Sequence, residues 1–321
     1  MPRLSTPPAD RPLLAFKFGG TAVGSVDRFR NVIRVITDAA RSARLLVVNS
    51  ALSQVTRQLD AGFDAVTADA SPSTVADDLL EALRLRHREQ AAAVLSPTSQ
   101  MQYASMVEQR LASLRDALGE AAATGRSVAL RDRVLAIGEQ LAVPMVALAL
   151  HDAGVDVVHG DATTLLRTDD SFGGAAVDLA ATRHALCHWA DGLSPTAVPV
   201  LAGFIGGTAD GATTTLGFEG SDYSAALFAS VLNADRLTRY TDVDGLYTRD
   251  PRTHHDAARV SELAMEAALA RTEAGELGMH PKTLRPLVDA GIALHIRSID
   301  ALDAPGTRII PDAQLVASGA S

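Results

Sequence analysis

Leu13-Leu14-Ala15-Phe16-Lys17-Phe18-Gly19-Gly20-Thr21 is an apolar run broken by one cation and closed by two glycines. A short run of this kind predicts a buried strand that ends in a tight turn. Beyond it, Val26, Phe29, Val32, Ile33, Ile36 and Ala40 recur at spacings of three and four, which predicts an amphipathic helix. Leu45-Leu46-Val47-Val48-Asn49-Ser50 is a second continuous apolar strand. Strand, helix and strand in about forty residues make a βαβ unit, with a parallel pair and a right-handed crossover.

The alternation continues down the chain. Residues 74–124 have helical composition, and Val134 to Ala153 reads as a helix kinked near Pro144 and closed by Gly154. Short strands are expected at 155–158, 198–201, 235–243 and 292–296, with a helix from Ser221 to Leu232. This order predicts an α/β protein, an αβα three-layer sandwich around a mainly parallel sheet. Ligands of such sheets lie beyond the carboxyl ends of the strands. Gly19-Gly20, Ser50, Gly203 and Asp242 to Gly245 all fall there. No linker or repeat divides the chain, so 12–311 is expected to be one domain, with a disordered lead-in at 1–11 and a loose tail at 312–321.

The 321 residues carry 29 Lys+Arg against 38 Asp+Glu, a formal net charge of −9. An acidic chain without a basic block is a poor binder of nucleic acid by bulk charge. The single Cys187 forms no internal disulfide and anchors no zinc cage. The apolar stretch Leu141 to Leu150 is about half a membrane span. The first dozen residues lack the apolar core of a signal peptide, so a cytoplasmic protein without membrane partners is expected.

Lys17 followed by Gly19-Gly20-Thr21 puts a mobile cation and approachable backbone N–H groups at the end of a strand, an arrangement suited to phosphate. A plain strand cap is the alternative. Neither a Walker A loop nor a dinucleotide fingerprint occurs. Gly203 to Asp222 holds six glycines, the run Thr213-Thr214-Thr215 and Ser221-Asp222 at a helix start. Such hydroxyls and amides would suit a polyphosphate, while Ser221 or Asp222 could equally be an N-cap. Thr241 to Tyr247 with Asp250-Pro251-Arg252 lacks calcium-loop spacing. His254-His255-Asp256 reads as a solvated loop and His280-Pro281 as structural; no metal site is expected.

Together these segments resemble the aspartokinases of the amino-acid kinase family. Lys17 to Val23 is close to K-F-G-G-T-S-V, Val48 to Ala51 with Val55-Thr56 to V-S-A…V-T, and Gly138-Glu139 to the start of G-E-R-L-S. Leu216 to Ala226 is similar to T-L-G-R-G-G-S-D-Y-T-A-A, and Thr241 to Arg252 to T-D-V-D-G-V-Y-T-x-D-P-R. Gly275 to Thr283 and Pro305-Gly306-Thr307 complete a likeness spanning about 13–310. The resemblance implies the amino-acid kinase fold, with a substrate lobe at about 12–200 and a nucleotide lobe at 201–311. It implies ATP-dependent phosphorylation of the side-chain carboxylate of L-aspartate to 4-phospho-L-aspartate, the first step towards lysine, threonine and methionine, with Mg2+ and ATP as cofactors. By this likeness Lys17 and Asp222 are catalytic, and Gly19, Gly20, Ser221, Thr241, Asp242, Tyr247 and Arg252 hold nucleotide. Ser50, Thr56 and Glu139 hold the amino-acid substrate, Glu139 through its ammonium. A homodimer is expected on the same ground. Relatives continue into paired ACT domains; the sequence ends before them, and feedback of that kind is expected to be absent.

Some positions depart from the pattern. Phe218 stands where the family has an arginine resembling a carboxylate clamp, and Glu219 replaces the next glycine. Ala22, Gln140, Ala142 and Leu277 also differ, Leu277 in place of a lysine. An aspartate carboxylate left without a partner would cost about 2–5 kcal/mol. Arg131, Arg133, Lys282, Arg285 and Arg297 are candidate replacements. A kinase for a different carboxylate acceptor and a catalytically poor nucleotide-binding homologue remain as alternatives.

Overall fold

The computed structural model describes residues 11–68, 71–249, 253–277 and 279–313. The opening stretch is β1 (Leu13–Phe18), followed by α1 (Val26–Ala39) and β2 (Arg44–Asn49). Four helices come next: α2 (Val55–Ala68), α3 (Pro72–Val94), α4 (Pro97–Thr124) and α5 (Val128–Asp152). The chain returns through β3 (Val157–Gly160), α6 (Ala162–Leu165), α7 (Leu179–Asp191) and β4 (Val198–Ala202). A hairpin, β5 (Ile205–Gly207) and β6 (Thr213–Thr215), leads into α8 (Gly220–Val231) and β7 (Arg236–Thr241). The last elements are β8 (Leu246–Tyr247), β9 (Arg259–Val260), β10 (Glu262–Ala264), α9 (Met265–Glu273), α10 (Pro281–Ala290), β11 (Ala293–Ser298) and β12 (Thr307–Ile310).

Eight strands form one sheet in the order β10-β12-β11-β7-β1-β2-β4-β3. Every neighbouring pair is parallel except β11 with β12. The mainly parallel α/β sandwich expected from the sequence is therefore present. Strand alternation sorts the two faces. Phe16, Phe18, Leu45 and Val47 pack in one core with α1 to α5, while Ala15, Leu46, Val48 and Leu237 pack in the other with α8 to α10. Lys17 lies on the α8 side, since it alternates with Phe16 and Phe18.

Several expectations are corrected. The helix expected from Val134 begins six residues earlier, capped by Ser127 Oγ, which accepts from Leu130 N. It runs unbroken through Pro144, since the surrounding packing holds this buried stretch helical. By length and composition α5 could cross a membrane, but 78% of its most apolar stretch is buried inside the protein. The helical middle splits at Leu95-Ser96-Pro97, where Ser96 caps α4. The lead-in, except Arg11, and the tail, except Asp312 and Ala313, lie outside the described residues.

Candidate active site

The register that aligns Leu14 with Arg236 also sets Lys17 beside Arg239 on the adjacent strand. Two cations on one sheet face repel unless an anion lies between them. Asp222, in the first turn of α8, supplies it. Its Oδ1 is 2.5 Å from Lys17 Nζ and its Oδ2 is 3.1 Å from Arg239 Nε. Lys17 and Asp222 are both buried. Burial alone would raise the Asp222 carboxyl's pKa, but Arg239 and Lys17 outweigh it and hold the group below its usual range. The close approach of α8 to the sheet needs Gly203, because a Cβ there would lie 2.8 Å from Ser221 Cα.

A cavity of about 690 Å³ opens above this cluster. Lys17, Gly20, Ser50, Thr56, Glu139, Ser221 and Asp222 all line it, so the substrate residues and the catalytic pair expected from the sequence come together. Gly19 adjoins them: a Cβ there would sit 3.3 Å from Lys17 Nζ. Gly138 lets α5 approach the loop after β2, and Glu139 Oε1 then accepts from Ala51 N at 3.1 Å. Glu139 Oε2 is buried with no hydrogen-bond partner. Burial pushes this carboxyl up to about 8, against the opposing pull of the Ala51 amide and Lys17.

Backbone strain gathers around the same space. Gln54, Phe204 and Glu219 have φ of 69°, 68° and 55° and all three line the cavity; among the described residues Asn233 is the one other non-glycine with positive φ. Such conformations cost about 1–3 kcal/mol each and concentrate at functional sites. Glu219 is the N-cap residue of α8, so neither Ser221 nor Asp222 takes that place. Its Oε2 accepts from His280 N at 2.5 Å, which ties the rim to the start of α10. His280 is structural, accepting from Lys282 N as the cap of α10.

A second cavity, of about 900 Å³, has Arg239 in its wall. Thr241, Asp242 and Tyr247 line it, with Leu277 also in its wall. Tyr247 Oη donates to Asp244 Oδ1 at 2.8 Å, which fixes the ring at the turn. Arg252 lies outside the described residues. Asp222 therefore touches one cation from each cavity: Lys17 in the first and Arg239 in the second.

The threonine run does not present three free hydroxyls. Thr214 Oγ1 bonds Thr168 Oγ1, and Thr215 Oγ1 donates to the buried Asp132. Of the candidate replacement cations, only Arg131 lines the first cavity. Arg133 pairs with Glu120, Arg285 with Glu273, and Arg297 donates to the Leu302 and Ala304 carbonyls. Lys282 Nζ donates to Leu216 O. Sequence reasoning missed Arg239, Asp132 and Arg57. Only Arg239 had a signal: it falls on the same face as Lys17 once β1 and β7 are aligned.

A mainly parallel sheet thus carries a buried lysine–aspartate–arginine cluster whose two cations line separate cavities. The chain belongs to the amino acid kinase family, whose profile matches residues 12–298. It is 32% identical over 295 residues to the bifunctional aspartokinase/homoserine dehydrogenase 2, chloroplastic, of Arabidopsis thaliana, covering 91% of this chain and 32% of that protein. It is also 32% identical over 301 residues to the lysine-sensitive aspartokinase 3 of Escherichia coli, covering 92% and 64%. The structure of E. coli aspartokinase III in complex with aspartate and ADP matches with a TM-score of 0.83 at 31% identity, over 93% of this chain and 64% of that one. The chain thus spans about one third to two thirds of these relatives.

Proposed function

We propose that the chain transfers the γ-phosphoryl group of ATP to the side-chain carboxylate of L-aspartate, giving 4-phospho-L-aspartate and ADP. The observation that carries this is Asp222 bound to Lys17 and Arg239 at the junction of two cavities. The first cavity, walled by the lobe 12–200 and by residues 204–222, takes the amino acid through Ser50, Thr56 and Glu139. The second, in 201–311, takes the nucleotide through Thr241, Asp242, Tyr247 and Arg252. An oxygen of the ionised carboxylate attacks the γ-phosphorus in line while the bond to the β–γ bridging oxygen breaks. A carboxylate needs no base, so positioning and charge compensation suffice.

Lys17 neutralises charge on the transferring group, and Asp222 fixes its ammonium in place. Gly19, Gly20 and Ser221 offer donors to the phosphates. Glu139 releases its proton to solvent and pairs, ionised, with the substrate ammonium. Among the described residues no group of three or more His, Cys, Asp or Glu is arranged to hold a metal ion. Asp242 and Asp244, both in the wall of the second cavity, would hold Mg2+ there together with the nucleotide's phosphates. Mg2+ supplies charge neutralisation on the phosphates when bound. Cytoplasmic location and a homodimer belong to the same proposal, on family likeness.

Incubation with MgATP, L-aspartate and hydroxylamine tests it, because hydroxylamine traps acyl phosphates but not phosphate esters. Aspartyl hydroxamate formed in step with ADP supports the reading. ATP binding without hydroxamate overturns it in favour of a second reading, a less anionic acceptor. One observation favours that second reading: Phe218 lines the first cavity with 77% exposure and offers no charge.

A further inference from the structure

We infer that Arg57 recognises the acceptor's second carboxylate, the one that is not phosphorylated; this rests on the function proposed above. An amino-dicarboxylate brings three charges into the first cavity. Its reacting carboxylate faces Lys17 and its ammonium faces Glu139. The remaining carboxylate needs a cation of its own, because leaving it desolvated and unpaired is costly.

Lys17, Arg57 and Arg131 are the cations that line the cavity. Lys17 is held by Asp222. Arg131 is held by Asp60 through two bonds, Nε to Oδ1 at 2.7 Å and Nη2 to Oδ2 at 2.8 Å. Arg57 makes no ion pair with a described residue. Its place in the first turn of α2, beside Thr56, puts Arg57 in the cavity wall. Asp60 is three residues further along the same helix and would be the natural partner of Arg57. Because Arg131 occupies Asp60 from α5, Arg57 is left free to meet a ligand. Its planar fork matches a carboxylate bidentately.

The test compares L-aspartate with its α-amide, which keeps the side-chain carboxylate and ammonium but lacks the second anion. Calorimetric affinity and hydroxamate formation are measured for both acceptors. Arg57→Gln is expected to reduce the preference for aspartate over the amide by about 10- to 100-fold, as for loss of a charged hydrogen bond. Arg57→Lys is expected to fall between. Arg131→Gln frees Asp60 to capture Arg57 and should also lower the preference, whereas Asp60→Asn combined with Arg131→Gln should restore it. An unchanged preference in Arg57→Gln overturns the assignment while the kinase reading stands. A preference still lost in the double variant moves the role to Arg131 and likewise overturns it. Absence of hydroxamate from both acceptors with the wild-type chain overturns the proposed function, and this inference with it.

Discussion

The chain uses arginine for nearly every cation; Lys17 and Lys282 are its two lysines. Lys17 is 7% exposed. A compact ammonium on a flexible stem can follow a phosphoryl group as it moves, which a planar guanidinium does less well. The partners in the cluster depend on one another unequally. Removing Lys17 leaves Asp222 paired with Arg239, so Lys17→Ala should abolish hydroxamate formation and cost little stability. Removing Asp222 leaves Lys17 buried next to Arg239 with no counter-charge. Asp222→Ala should therefore lose activity and also about 3–5 kcal/mol of stability. Urea denaturation of the two variants beside wild type checks this; equal destabilisation would show that Asp222 is not the common anion.

Helix α5 links the core to the site through Asp132, which is fully buried. Its Oδ2 accepts from Gly173 N at 2.9 Å and Thr215 N at 2.8 Å, and its Oδ1 accepts from Thr215 Oγ1 at 2.7 Å. One side chain thus holds β6 and the loop at Gly173 against the first cavity. Asp132→Ala leaves three donors without a partner, and a loss of about 3 kcal/mol or more is expected in the denaturant midpoint, with a raised KM for the acceptor. An unchanged midpoint would mean that water replaces the carboxylate. Asp132 also explains why the start of α5 was illegible: a buried acid in the first turns breaks the apolar period that marks a helix. By contrast β1, α1 and β2 were readable because their burial follows simple periods. The β5–β6 hairpin was not, since its glycine-rich sequence resembles a loop and its threonines meet partners more than forty residues away. The residues of the first cavity were legible where a motif is local, as at Lys17 and Asp222. Arg57 has meaning only once Arg131, 74 positions on, is seen to hold Asp60.

At the scale of the molecule, buried groups with opposed shifts set the pH of greatest stability. Burial holds His87 neutral down to about 4, with the Leu83 carbonyl opposing and Arg86 assisting. His295 is likewise lowered to about 4 by burial and by Arg236, Arg308 and Arg297. Between about pH 4 and 6.5 the unfolded chain takes up protons at these two sites that the folded chain does not. Each therefore makes stability rise with pH, by at most about 1.4 kcal/mol per pH unit, and by less for the partly exposed His295. Glu139 acts in the other sense. Its carboxyl stays protonated in the fold up to about 8, whereas in the unfolded chain it ionises above about 4.5. From there to pH 8 the folded state holds the extra proton, so stability falls by about 1.4 kcal/mol per unit. The histidines outweigh this below pH 6.5 and are silent above it. Stability of the ligand-free protein should peak near pH 6.5 and decline towards 8. Glu139→Gln removes the ionisation while keeping an acceptor for Ala51 N, so its stability should be flat from pH 6.5 to 8. Urea midpoints at fixed ionic strength across pH 5–9 decide the matter. Parallel curves for wild type and variant would mean that Glu139 is already ionised in the empty cavity, with no proton to release to solvent when an ammonium binds.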